Sequence, residues 1–103
     1  MGGRVQDKVV IVTGAGTGIG RAAAVFLARE GAKVVVANRN EVNGAETVRR
    51  IREAGGEAIF CQTDVRREED CRTAVQMALT HYGALHGLVN NAGIFPRATL
   101  EET

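Results

Sequence analysis

Apolar residues follow two rhythms along this chain. Short solid runs alternate with longer stretches in which apolar positions recur every three or four residues. Lys8–Thr13 (KVVIVT) is a β-branched run and predicts a buried strand. Gly18–Glu30 carries Ile19, Ala22, Ala23, Phe26 and Leu27 at helical spacing, predicting a helix with that face inward and Gly31 as its stop. Lys33–Ala37 (KVVVA) predicts a second buried strand. Glu41–Ala54 predicts a helix with Ala45, Val48 and Ile51 inward, Arg49, Arg50 and Arg52 outward, and Gly55-Gly56 at its end. Glu57–Thr63 (EAIFCQT) predicts a third strand. Arg67–Tyr82 predicts a third helix with Cys71, Ala74, Val75, Ala78, Leu79 and Tyr82 inward, closed by Gly83. Leu88–Asn90 opens a fourth strand, followed by Asn91-Ala92-Gly93.

The order is β-α-β-α-β-α-β, with no tandem sequence repeat and no linker. Strands that are nearly all apolar belong in a parallel sheet covered on both faces. Right-handed crossovers then restrict the winding. The expected fold class is α/β: a Rossmann-type parallel sheet, strand order 3-2-1-4, with helices on both faces.

Between the first strand and the first helix lies Thr13–Gly20 (TGAGTGIG). A chain turning sharply from strand to helix needs Gly14's backbone freedom. Gly18 removes a side chain where a pyrophosphate would approach, and Gly20 lets the helix pack closely on the strand. The helix N-terminus then offers free N–H groups and partial positive charge to phosphates. The general GxGxxG fingerprint, begun at Gly14, fails because its sixth position is Ile19. Begun at Gly18 it gives GIGRAA, a register too far beyond the strand. The Walker pattern fails because Arg21, not Lys-Ser/Thr, follows Gly20. What fits is Thr13-Gly14-x-x-x-Gly18-x-Gly20, with a purely structural glycine turn as the alternative.

Composition narrows the partners. With 103 residues, 45% hydrophobic content and net charge +1, the chain suits one compact unit with no global field favouring nucleic acid or acidic membranes. The opening MGGRVQDK lacks an apolar h-region, and Gln6 stands where an N-myristoylation signal wants Ser or Thr. The apolar run Val9–Val12 is far short of a membrane span. A cytoplasmic location is expected, with no nucleic-acid or membrane partner. Cys61, Cys71, His81 and His86 do not have zinc-site spacing, so no metal site is expected and both cysteines read as small buried apolar residues.

The end of the second strand bears on cofactor choice. An NAD site of this architecture expects an acidic residue there for the ribose hydroxyls. The chain has Ala37-Asn38-Arg39 instead. Arg39 offers a planar, permanently charged fork suited to a 2′-phosphate, the alternative being a solvated surface arginine. Asn38 and Arg39 are therefore candidate cofactor residues, with NADP favoured over NAD.

Read together, TGAGTGIG, Asp64-Val65 after the third strand and Asn90-Asn91-Ala92-Gly93 after the fourth resemble the short-chain dehydrogenase/reductase family, from about Lys8 to the C-terminus. The resemblance implies an NAD(P)-dependent oxidoreductase acting on an alcohol, ketone or 3-oxoacyl group. It implies that Gly14, Gly18, Ile19 and Gly20 form the pyrophosphate loop. Asp64 and Val65 would meet the adenine ring, although Asp64 could also cap the third helix. Asn91, Ala92 and Gly93 would run beneath the nicotinamide-side ribose. Thr13 and Asn90 read as scaffold and Arg21 as helix surface. Thr17 departs from the basic residue that some NADP-preferring members carry.

The family's catalytic relay is a tyrosine, a lysine four residues later, a serine and a further asparagine. None can be carried over: the only tyrosine is Tyr82, His86 lies four residues on, and the lysines, Lys8 and Lys33, precede it. No catalytic residue is therefore assigned. The expectation is an N-terminal fragment, residues 1–103 forming a partial NAD(P)-binding domain truncated after the fourth strand. Its fourth strand would be an exposed edge, and the sheet face under the third helix would show an apolar patch. The fragment would be catalytically incompetent, with a small-molecule substrate only in a full-length form. A non-catalytic dinucleotide-binding or interaction module remains the alternative, and a homo-oligomer stays open.

Overall fold

The structure is a computed structural model describing residues 5–91. Seven elements follow one another: β1 (Val9–Thr13), α1 (Gly18–Arg29), β2 (Lys33–Asn38), α2 (Glu41–Glu53), β3 (Glu57–Gln62), α3 (Glu68–Tyr82) and β4 (Gly87–Val89). The strands form one parallel sheet in the order β3-β2-β1-β4. Every element stands within about a residue or two of its expected bounds, and the Rossmann-type order is as expected. The chain winds outward from β1 to β3, then crosses back to place β4 on the far side of β1. That reversal opens a crevice beyond the C-terminal ends of β1 and β4, where ligands of open α/β sheets sit.

Strands without polar interruptions serve two cores by simple alternation. Val10, Val12, Val34, Val36 and Ala58 face α1 and α2, packing with Ala24, Ala28, Val48 and Ile51. Val9, Ile11, Val35, Ile59 and Cys61 face α3, packing with Cys71, Ala74, Val75 and Ala78. The expected apolar patch under α3 is not found on β1 to β3, whose residues on that side are buried. α3 covers them together with Val65, Ala84 and Leu85, and on that side β4 contributes the half-buried Leu88.

The inward face of α1 differs from the expected one. Gly20, Ala24 and Ala28 are buried, whereas Ala22 is exposed and Ile19 and Phe26 are 79% and 58% exposed. The cause is at the start of the helix. A Cβ on Gly20 would collide with the Gly14 carbonyl oxygen, so Gly20 is pressed against the end of β1. With roughly 100° of rotation per residue, that contact fixes which side of α1 faces the sheet. The four-residue series Gly20, Ala24, Ala28 must then face inward, whatever larger apolar residues lie elsewhere. In α2, Val48 and Ile51 are buried as expected, but Ala45 is exposed and Gly44 and Thr47 are buried instead. Gly44 leaves room for the Phe60 ring of β3.

His86 extends the β1–β4 pairing by an unusual route. Its Nδ1 accepts a hydrogen bond from the buried Val9 N–H at 2.8 Å, while its own N–H donates to the Val9 carbonyl at 2.8 Å. The imidazole thus substitutes for a missing strand carbonyl.

Two stability predictions follow. His86→Ala leaves the Val9 N–H unpaired and should cost about 1–3 kcal/mol in urea unfolding; no loss would show that water replaces the imidazole freely. Gly20→Ala forces backbone apart and should cost about 3 kcal/mol or more. An alanine variant as stable as the parent would contradict the close contact.

Candidate functional site

The crevice at the C-terminal edge is built around the glycine loop. Gly14 and Gly18 have φ of 60° and 56°, left-handed values that L side chains resist. Together they bend the chain from β1 into α1. A Cβ on Gly18 would meet nothing within 4 Å, so this glycine faces open space. Thr17, the residue before α1, is extended and makes no side-chain cap, and no acidic residue stands in the first turn. The leading N–H groups of α1 are therefore open to an anion. Ile19 stands exposed beside them.

Polar anchors hold the loop in place. The buried Thr47 hydroxyl donates to the Ala15 carbonyl at 2.7 Å and accepts from Arg21 Nε at 2.9 Å. Arg21 Nη2 also donates to the Asn43 carbonyl at 3.1 Å. Arg21 is thus a half-buried tie between α1 and α2, not the helix-surface residue expected from sequence. Gly16 N–H donates to Asn38 Oδ1 at 3.2 Å, and Asn38 Nδ2 donates to the Asn40 carbonyl at 2.9 Å. Asn38 is therefore engaged in shaping the loop. A Cβ on Gly16 would collide with the Asn38 side chain. Asn43 and Thr47 had no signal in the glycine pattern, and Gly16 fell on one of the unspecified positions of the spacing that fits. Thr47 could have been found as a polar residue on the inward face of α2.

On the β4 side, buried Thr13 joins the central strands. Its hydroxyl donates to Asn90 Oδ1 at 2.9 Å and accepts from the Asn91 N–H at 2.8 Å. This is the scaffold role expected for Thr13 and Asn90. Asn91 comes close to the loop, since a Cβ on Gly20 would lie 2.9 Å from Asn91 Nδ2. Ala92 and Gly93 lie outside the described residues.

On the β2–β3 side, Gly14, Asn38, Arg39, Thr63, Asp64, Val65 and Arg66 surround a hollow of about 190 Å³. Asp64 does not cap α3: the capping position is Arg67, without a side-chain cap. Asp64 Oδ1 accepts instead from the Arg66 N–H two residues on, at 3.0 Å, an Asx-type turn. Asp70 Oδ2 holds the Asp64 N–H at 3.0 Å. The Arg66 side-chain and backbone hydrogen bonds keep the Asp64 carboxyl well below the usual carboxylate range, with smaller help from Arg39. Arg39 Nε lies 3.8 Å from Asp64 Oδ2. The Val65 side chain packs down against the α3 core.

Tyr82 lies elsewhere. Its ring packs on the α3-side core with Lys33 Nζ 5.9 Å from the ring centre, and Lys33 begins β2. That is the opposite edge of the sheet, about 15 Å of strand from the loop. The Tyr82 hydroxyl is buried without a hydrogen bond among the described residues, and burial pushes its pKa up. It packs; it is not near the crevice. Cys61 and Cys71 are buried free thiols whose pKa burial raises. The described residues contain no cluster of three or more potential metal ligands. None of their helices is long and apolar enough to cross a membrane.

Known proteins share this arrangement. The model of the family described as short chain dehydrogenase matches residues 8–103. An uncharacterized oxidoreductase of Thermotoga maritima is 48% identical over 98 residues, covering 95% of this chain and 38% of that protein. A crystal structure of a hydroxysteroid dehydrogenase from Escherichia coli superposes with a TM-score of 0.85 at 37% identity, over 88% of this chain and 39% of that one. A 7α-hydroxysteroid dehydrogenase complexed with NADH and 7-oxo glycochenodeoxycholic acid gives a TM-score of 0.85 at 34% identity, over 95% of this chain and 41% of that one. The chain spans about two-fifths of the length of these relatives. With the glycine loop, the strand order and the family match in agreement, the chain belongs to the short-chain dehydrogenase family of oxidoreductases.

Proposed function

We propose that residues 1–103 are part of an NAD(P)-binding Rossmann domain that prefers NADP(H), within an oxidoreductase acting on an alcohol, ketone or 3-oxoacyl group. The observation that carries the cofactor reading is the uncapped start of α1 next to a left-handed Gly18 that faces open space. These residues fit a pyrophosphate: open N–H groups, the positive end of the helix, no acidic side chain in the first turn and no Cβ in the way. Gly14, Gly18, Ile19 and Gly20 would cradle it.

The hollow beside them suits an adenosine. Asp64 would accept from the adenine amino group, with the Val65 backbone beside it. Asn38 would hold the wall of the ribose pocket through its bond to Gly16. Arg39, its side chain 66% exposed, would face a 2′-phosphate, and no carboxylate ends β2 to oppose that charge. Asn91, with Ala92 and Gly93 following in sequence, would support the ribose nearer the nicotinamide. The cofactor supplies hydride-transfer chemistry when bound; these residues bind and orient it. NADH in the 7α-hydroxysteroid dehydrogenase structure belongs to that protein; the preference here rests on Arg39.

The chain's own residues hold no proton relay. Its one tyrosine is packed in the α3-side core, and neither lysine follows it. The reading is therefore a binding portion that does not by itself turn over substrate, with cytoplasmic location and self-association as further expectations.

Calorimetry should find NADP and 2′-phospho-AMP bound about fivefold or more tightly than NAD and AMP. NAD binding as tight as NADP would refute the preference, and heat from none of them would refute the site. Mixing the 103-residue chain with NADPH and a panel of ketones should leave the nicotinamide absorbance unchanged; steady oxidation of NADPH would overturn the claim that the chain lacks its own relay.

A further inference from the structure

Three arginines line the rim between β2 and α3, and they are not equivalent. Arg67 Nη2 is paired with Glu69 at 3.2 Å. Arg66 grips Asp64 with its planar fork, Nε to Oδ1 at 3.0 Å and Nη2 to Oδ2 at 2.9 Å, and adds its backbone N–H to Oδ1 at 3.0 Å. Arg39 alone makes no side-chain hydrogen bond among the described residues, only a 3.8 Å approach to Asp64 Oδ2. It nevertheless stands beside a carboxylate that is only 19% exposed. Left to itself, such a pair would close into a bidentate Arg–carboxylate bond. Both oxygens already accept from Arg66, whose charge offsets theirs and weakens the pull on Arg39.

We propose that Arg66 is a positioning residue for cofactor choice, holding the Asp64 carboxylate so that Arg39 stays available to a 2′-phosphate. The inference rests on the NADP reading above and deepens it. Without Arg66, the Asp64 carboxylate regains both oxygens. Arg39 swings the remaining ångström to it, and its charge is cancelled where a dianionic phosphate would need it. NAD carries no 2′-phosphate and does not need the Arg39 charge, and one guanidinium replaces the other on the carboxylate beside the adenine. Removing Arg66 therefore weakens NADP selectively and leaves NAD as it was. Damage to the loop would weaken both alike.

Calorimetric titration of the 103-residue chain with NADP and with NAD tests this, on the parent, Arg66→Gln, Arg66→Lys, Arg39→Gln and the double variant. Arg66 is a surface residue, its side chain 70% exposed, so Arg66→Gln should keep the parent's circular dichroism and unfolding midpoint. NADP affinity should fall about fivefold in Arg66→Gln, the upper range for an exposed ion pair, while NAD affinity holds. Arg66→Lys, which keeps the charge but not the fork, should recover part of the NADP loss. Arg39→Gln should weaken NADP in the parent but much less in the Arg66→Gln background. Equal weakening of both cofactors by Arg66→Gln, no change in either, or additive effects of the two substitutions would overturn the role of Arg66. If Arg39→Gln leaves NADP affinity unchanged in the parent, or the folded parent binds neither cofactor, the NADP reading itself fails and takes this inference with it.

Discussion

The ligand-facing edge depends on one contact, the Gly20 backbone against the Gly14 carbonyl. A side chain at position 20 cannot exist while α1 starts where it does. Because it starts there, the first N–H groups of α1 point beyond the end of β1, into the crevice created by the strand reversal between β1 and β4. The same contact sets the rotation of α1, burying Ala24 and Ala28 and turning Ile19 and Phe26 outward. Fold and site are thus linked by a missing methyl group.

A loop that leaves helix N–H groups unpaired needs support elsewhere, and the support is polar. Thr47, fully buried on α2, ties the Ala15 carbonyl to the Arg21 guanidinium. Asn38 ties Gly16 to the start of α2. Thr13 ties the ends of β1 and β4. Each of these side chains satisfies loop or strand-end backbone that the sheet cannot reach. Among the described residues, the open start of α1 and the Arg39 side chain, which makes no hydrogen bond, both lie around the crevice.

Much of this was legible in the sequence, and the reasons are physical. Strand runs such as Val9–Val12 and Val34–Val36 can be nothing but buried, because no polar residue interrupts them. Element order then left a short menu of topologies, and the strand order 3-2-1-4 was among them. The glycine positions announced the loop because backbone conformation and close approach are properties of glycine itself. Helix rotation was not legible. Counting apolar residues put Ile19, Ala22 and Phe26 inward and ranked Ala45 above Gly44 and Thr47, because apolarity counts weigh bulk while close packing on a sheet favours small residues. The Arg21 reading and the alternative of Asp64 as a cap of α3 failed for a related reason. Sequence shows charge but not partner, and only folding brings Thr47 and Asn43 to Arg21, or Arg66 back onto Asp64.

On the proposed function, this edge binds a dinucleotide through the start of α1. Amide chemical-shift mapping of the isotope-labelled chain during NADP titration tests it most directly. The largest changes should fall on Gly14, Gly18, Ile19 and Gly20, with a second group at Arg39 and Asp64 and little change along the outer side of α2 near Ala45 and Arg52. Shifts centred on α2 and Phe60, or no saturable shifts in the glycine loop, would contradict it.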